Sequence, residues 1–171
     1  VLVFLTADHA AVDVPSYLQS KKIPGGYYDE GVMQDSLRKW SLKLYGDTVI
    51  ANVSNFQVFF NYKKIEKKNL SLSEIEKQVA EWLMKFPGMA ETLTATSLRN
   101  TSFTTIPFTL MQAGFNQVRS GDVLFNLQPG WIEHDKRGTT HGSPWSYDTR
   151  VPLIWYGWKV SKGETLELVN I

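Results

Sequence analysis

Two short apolar runs at opposite ends of the chain constrain its fold more than any other feature. VLVFL (residues 1–5) and VPLIWY (residues 151–156) are rich in β-branched and aromatic side chains and are bounded by polar residues. Five or six residues is strand length. An unbroken apolar strand is expected to be covered on both faces, as in a parallel sheet, which points to an α/β fold.

The composition allows such a core. The chain has 171 residues, 43% of them hydrophobic and 13% aromatic, enough for one sizeable domain. Its formal charge is +1, so no basic stripe is available to displace counterions from a nucleic acid polymer. The densest basic patch, NYKKIEKKN (residues 61–69), reads as a solvated loop. Without cysteine there is no disulfide framework and no thiolate metal site. No apolar run approaches the roughly 18 residues of a membrane span, so membrane insertion is not expected. The chain shows no signal peptide and starts within a strand, which suggests a piece of something longer.

Between the two runs the pattern alternates. Met33, Leu37, Trp40 and Leu44 recur at helical spacing over residues 29–45, with Gly46 as a stop. Residues 48–53 and 56–62 read as strands joined by a turn at Ser54 and Asn55. Ser71 and Glu74 fit a capping box, with Leu70 and Ile75 as its hydrophobic staple; the helix they open runs to Phe86, before Pro87 and Gly88. Residues 91–97 and 122–128 read as further strands, and residues 105–116 as a short helix opening near Pro107. Residues 11–26 read mainly as loop, and residues 129–148 as a long irregular one. The order helix, strand, strand, helix, strand, with one preceding strand, suggests a ferredoxin-like α+β insertion over residues 26–97. Residues 1–25 and 98–171 then form the α/β core.

The chemistry gathers where the apolar runs meet polar loops. TADH follows the first run and places Asp8 and His9 at a strand end, the rim where α/β folds bind ligands. A carboxylate and an imidazole are suitable donors for zinc, and equally a hydrogen-bonded capping pair. GTTHGSPWSYDTR, ahead of the second run, carries His141 among small residues, with Thr139 and Thr140 able to serve as partners for a ligating histidine. His134, in a charged stretch, reads as a surface residue.

Taken together, TADHA, SGDV (residues 120–123), PGW (residues 129–131) and GTTHGSPWSYDTRVPLIWYG (residues 138–157) resemble the alkaline phosphatase superfamily. The resemblance is to bacterial phosphate-irrepressible alkaline phosphatases, related to type I phosphodiesterase/nucleotide pyrophosphatases. It implies a partial sheet of that fold carrying the α+β insertion. It also implies two zinc ions, hydrolysis of phosphate esters through a phospho-threonine or phospho-serine, and an exported, periplasmic or secreted parent. By the motif match Asp8 and His9 ligate one zinc and His141 the other. The nucleophile, an early aspartate, an Asp-x-x-x-His pair and the phosphate-contacting groups of the family lie upstream of TADH. The chain is therefore expected to be a C-terminal portion with no catalytic nucleophile, inactive alone. A competing reading makes it an independently folding cap or partner-binding module with idle ligands. A third lets all three ligands share one zinc. An unpaired sheet edge would invite self-association.

Overall fold

The first apolar run forms a strand, but not a buried one. In the computed structural model, which describes residues 1–134 and 137–169, β1 (Leu2–Leu5) is exposed along its whole length. It pairs antiparallel with β8 (Ile154–Gly157) to make an isolated two-stranded ribbon, with Leu2 opposite Gly157 and Leu5 opposite Ile154. The expectation of a parallel strand covered on both faces is corrected. Among the described residues the ribbon has no third strand and no helix over it. Phe4, Trp155 and Tyr156 all stay exposed, and the rings of Phe4 and Trp155 meet tilted, with centroids 5.4 Å apart.

The core lies in the middle of the chain. After the ribbon strand come α1 (Pro15–Ser20), β2 (Gly26–Tyr27) and α2 (Glu30–Tyr45), so residues 11–26 are not all loop. Pro15 opens α1, where a missing N–H costs nothing. α2 has the ends its sequence prescribes. The Asp29 carboxylate accepts the Val32 N–H at 2.9 Å, and Gly46 closes the helix in the left-handed region at φ 68°. β3 (Ile50–Ser54) and β4 (Gln57–Phe60) form a hairpin whose turn residues are Asn55 and Phe56, both at positive φ, one position later than expected.

The basic patch is a helix, α3 (Tyr62–Lys67), rather than a loop. Asn61 caps it by accepting the Lys64 N–H, Ile65 anchors it in the core, and Lys64 pairs with Asp47 at 2.9 Å. α4 (Leu72–Leu83) starts at Ser71, but the capping box does not form. The Ser71 hydroxyl meets that of Ser73, and the Glu74 carboxylate takes the Gln78 amide.

β5 (Met89–Thr94), α5 (Ala95–Asn100), α6 (Phe108–Gly114), β6 (Val123–Leu127), β7 (Trp131–Ile132) and α7 (Ser146–Thr149) complete the chain ahead of β8. Four strands make an antiparallel sheet in the order β3-β4-β6-β5. The fourth strand of that sheet is β6, from beyond residue 97. The strand ahead of α2 pairs instead with β7, so the sheet order departs from a ferredoxin-like one. The sheet thus joins the 26–97 stretch to the later one.

Strand alternation puts Val123, Phe125 and Leu127 into the larger core with Met33, Leu37, Val58, Ile75 and Val79. Leu124 faces a smaller cluster with Leu93, Leu98 and the rings of Phe103, Phe108 and Phe115. α2 and α4 cover the first face, with Trp40 and Trp82 in contact at 6.0 Å.

Three tyrosines in this body resist ionisation. Burial, then the charges of Glu30, Glu133 and Asp29, raises Tyr28 far above its ordinary value. Burial, then Glu74, takes Tyr45 up to about 12. Burial, then the hydrogen bond and charge of Asp122, takes Tyr62 up to about 12. The folded chain holds these protons more tightly than the unfolded one. Stability is therefore fully present below the unfolded tyrosine value of about 10 and is lost as pH rises from there through about 12. Urea midpoints measured from pH 8 to 12 are expected to be flat to about 10 and then to fall, and Tyr45→Phe with Tyr62→Phe is expected to flatten the fall.

Candidate metal centre

The ribbon brings the two polar loops together. Because β1 and β8 run antiparallel, the segment leaving β1 lies beside the segment entering β8. The Ala10 N–H donates to the Asp148 carbonyl at 2.9 Å, and the Val12 N–H to the Thr140 carbonyl at 3.4 Å. The Thr139 hydroxyl closes onto the Val12 carbonyl. Thr139 and Thr140 thus fasten one backbone segment to the other.

His9 and His141 meet across this seam. Their rings stack with centroids 3.5 Å apart and planes 14° from parallel. Nδ1 of His9 lies 2.7 Å from the Ala10 carbonyl. A carbonyl only accepts, so Nδ1 carries the proton and Nε2 keeps its lone pair, the arrangement of a ligating imidazole. That Nε2 is 3.8 Å from Oδ2 of Asp8, whose side chain is 89% exposed. Two donors about 2.0–2.1 Å from one tetrahedral ion sit roughly 3.3–3.4 Å apart, so Asp8 and His9 are near a chelating separation. Asp8 also accepts the His9 N–H through Oδ1 at 3.1 Å, which holds the carboxylate on this side. The donor chemistry fits zinc, although among the described residues no three His, Cys, Asp or Glu converge on one point. His134 is exposed.

Behind His141 the loop is tied to the sheet. Gly142 sits at φ 102°, a conformation that a side chain would strain. The Trp145 indole N–H donates to the Leu127 carbonyl at 3.0 Å, which hangs the loop on β6. The Tyr147 hydroxyl accepts the Gly130 N–H at 3.1 Å. Val12, Phe56, Trp131, Ile132 and Pro144 wall a small cavity beside His141. Glu133 shares that wall, and its carboxyl is raised by burial and then by the charge of Asp29. Asp148, 3% exposed, accepts the Ser143 N–H at 2.6 Å. Sequence reasoning passed over both Trp145 and Asp148. A tryptophan and an aspartate in a loop of Ser, Thr and Gly carry no mark of the partners they find, Leu127 on β6 for Trp145 and, for Asp148, Ser143 in the same loop and Ala10 beyond β1.

The chain is 32% identical over 165 residues to alkaline phosphatase PafA of Elizabethkingia meningoseptica, a match covering 96% of this chain and 30% of that protein. It is 32% identical over 165 residues to a Myroides odoratus protein named calcium-transporting ATPase, covering 95% of this chain and 30% of that one. No family model matches. The crystal structure of wild-type PafA superposes with a TM-score of 0.84 at 30% identity, over 97% of this chain and 32% of that one. The chain therefore spans about 30% of the length of the relatives it matches. Over nearly its whole length, this chain thus resembles a part of alkaline phosphatase PafA in both sequence and fold.

Proposed function

We propose that this stretch is the C-terminal portion of a zinc-dependent phosphate-ester hydrolase, in which Asp8 and His9 hold one ion and His141 a second. The histidine stack carries the reading. An imidazole offers its lone pair in the ring plane, so an ion it binds lies in that plane. Planes only 14° apart, through rings 3.5 Å apart, meet far from either ring, and one ion cannot lie in both. Each ring then takes its own ion. This favours two ions over one zinc shared by all three ligands.

Zinc, when bound, supplies activation of the nucleophile and stabilisation of the leaving oxygen. The residues of this chain orient. The Ala10 carbonyl orients the ring of His9, and the cavity walled by Val12, Phe56, Trp131 and Pro144 flanks His141, which is itself exposed. By the family resemblance the nucleophile belongs to a segment outside this stretch, so the stretch alone releases no phosphate. Phosphate monoesters are the favoured substrate class and diesters the second, and an exported parent follows from the same resemblance.

The larger core contains none of the three ligands. This supports a second role, residues 26–97 acting together with β6 as a cap that folds whether or not metal is bound. The test is zinc content by plasma mass spectrometry on the purified chain, with His9→Ala and His141→Ala as controls. Near-stoichiometric zinc, lowered in both variants, is the expected result. Zinc absent from the wild-type chain, or unchanged in the variants, would leave the cap role alone standing.

A further inference from the structure

We infer that Asp148 is a positioning residue that sets both histidines of the metal centre at once. This rests on the reading that Asp8, His9 and His141 hold metal.

Asp148 reaches the two loops with different atoms. Its backbone carbonyl accepts the N–H of Ala10, the residue after His9, at 2.9 Å. Its carboxylate Oδ2 accepts the N–H of Ser143, two residues after His141, at 2.6 Å. One residue therefore fixes the backbone beside each ring, and with the Val12 pairings to Thr139 and Thr140 it holds the two segments where the rings stack at 3.5 Å. The short charge-assisted bond to Ser143 is the stronger kind, and it holds a loop that also contains Gly142 at φ 102°. Without it, that loop has one fewer restraint exactly where His141 must be aimed.

Asp148 is 3% exposed and stands outside both apolar clusters. Its Oδ1 is buried with no hydrogen-bond partner among the described residues, as is the hydroxyl of Ser143. A buried acceptor left half satisfied is costly, and natural structures keep few of them, usually where a site needs them. Both orphaned atoms belong to residues that line the cavity shared with His141. Groups that orient a metal ligand typically cost 10–100-fold in metal affinity when removed, and Asp148 orients His141 through the backbone at Ser143.

The test separates positioning from metal binding by beginning without metal. In the metal-free chain, nuclear Overhauser effects between the His9 and His141 rings report the stack. They are expected in the wild type and in Asp148→Asn, which keeps an oxygen for the Ser143 N–H. They are expected to vanish in Asp148→Ala and in Asp148→Leu, which fills the space without an acceptor and guards against a variant that fails to fold. Thermal unfolding of the core is expected to be nearly unchanged, because Asp148 lies outside it. Zinc affinity, measured by chelator competition, is expected to fall at least 10-fold in the Ala and Leu variants and to be restored in the Asn variant. Ring-to-ring signals that persist in Asp148→Leu, or that are lost in Asp148→Asn, would overturn the inference. If the signals follow this pattern while the wild type binds no zinc, the positioning role stands and the metal reading falls.

Discussion

Phe125→Ala is expected to lower the stability of the chain by about 3–5 kcal/mol. Phe125 is 1% exposed and lies on β6, an inner strand of the four-stranded sheet. Its ring meets Tyr28 edge-on at 5.9 Å and Phe56 at 5.7 Å, and its N–H donates to the Phe56 carbonyl at 3.0 Å. Such aromatic pairs add about 0.5–1.5 kcal/mol each beyond the area they bury. With β4 on one side and β5 on the other, the strand has little room to collapse into the space left behind. A domain of this kind has about 5–15 kcal/mol in total, so a third or more would go. Phe115→Ala, on the half-buried edge of the smaller cluster, is expected to cost less than half as much. Urea unfolding of the two variants checks the ranking, and equal effects would mean that the two clusters share the load.

What the sequence disclosed depends on how local each cause is. α2 was legible because the spacing of Met33 and Leu37 and the stop at Gly46 lie within one segment, although Leu44, read as part of the same stripe, is exposed. The mixed α/β class and the strand character of residues 2–5 and 154–157 were legible for the same reason. The expectation for Ser71 and Glu74 failed because side-chain rotors have competing partners nearby, in Ser73 and Gln78. The basic patch became α3 because Asn61 supplied a cap and Ile65 an anchor, signals that the surrounding lysines concealed.

The apolar runs told only what they can cover, not what covers them in this chain. At the site, Asp8, His9 and His141 were readable as donors by type. Their arrangement was not, since the stack depends on pairings between residues more than 120 positions apart. Asp148 was invisible for that reason.

Asp122→Ala is expected to cost about 3 kcal/mol, because it removes an acceptor from two groups at once. Asp122 is 6% exposed and stands immediately ahead of β6. Oδ2 accepts the Phe60 N–H at 2.7 Å, at the end of β4, and Oδ1 accepts the Tyr62 hydroxyl, at the start of α3. Its own N–H donates to the Val58 carbonyl and its carbonyl accepts the Ala95 N–H, each at 2.8 Å. The residue therefore ties a hairpin, a helix start and the β5–α5 junction to the strand that carries Phe125. Removing the carboxylate strands the buried Phe60 N–H, which is the larger part of the cost. Tyr62→Phe, which leaves that N–H bonded, is expected to cost about 1 kcal/mol, and the two changes together less than their sum. Spectrophotometric titration gives an independent reading. Tyr62 is held at about 12 first by burial and then by Asp122, so Asp122→Ala is expected to lower it while leaving it above the ordinary value of about 10. An unmoved tyrosine would mean that the carboxylate is not its partner. The proposed metal centre would register the change as well. Trp145 hangs the His141 loop on Leu127 at the far end of β6, so a strand loosened at Asp122 loosens the support of His141.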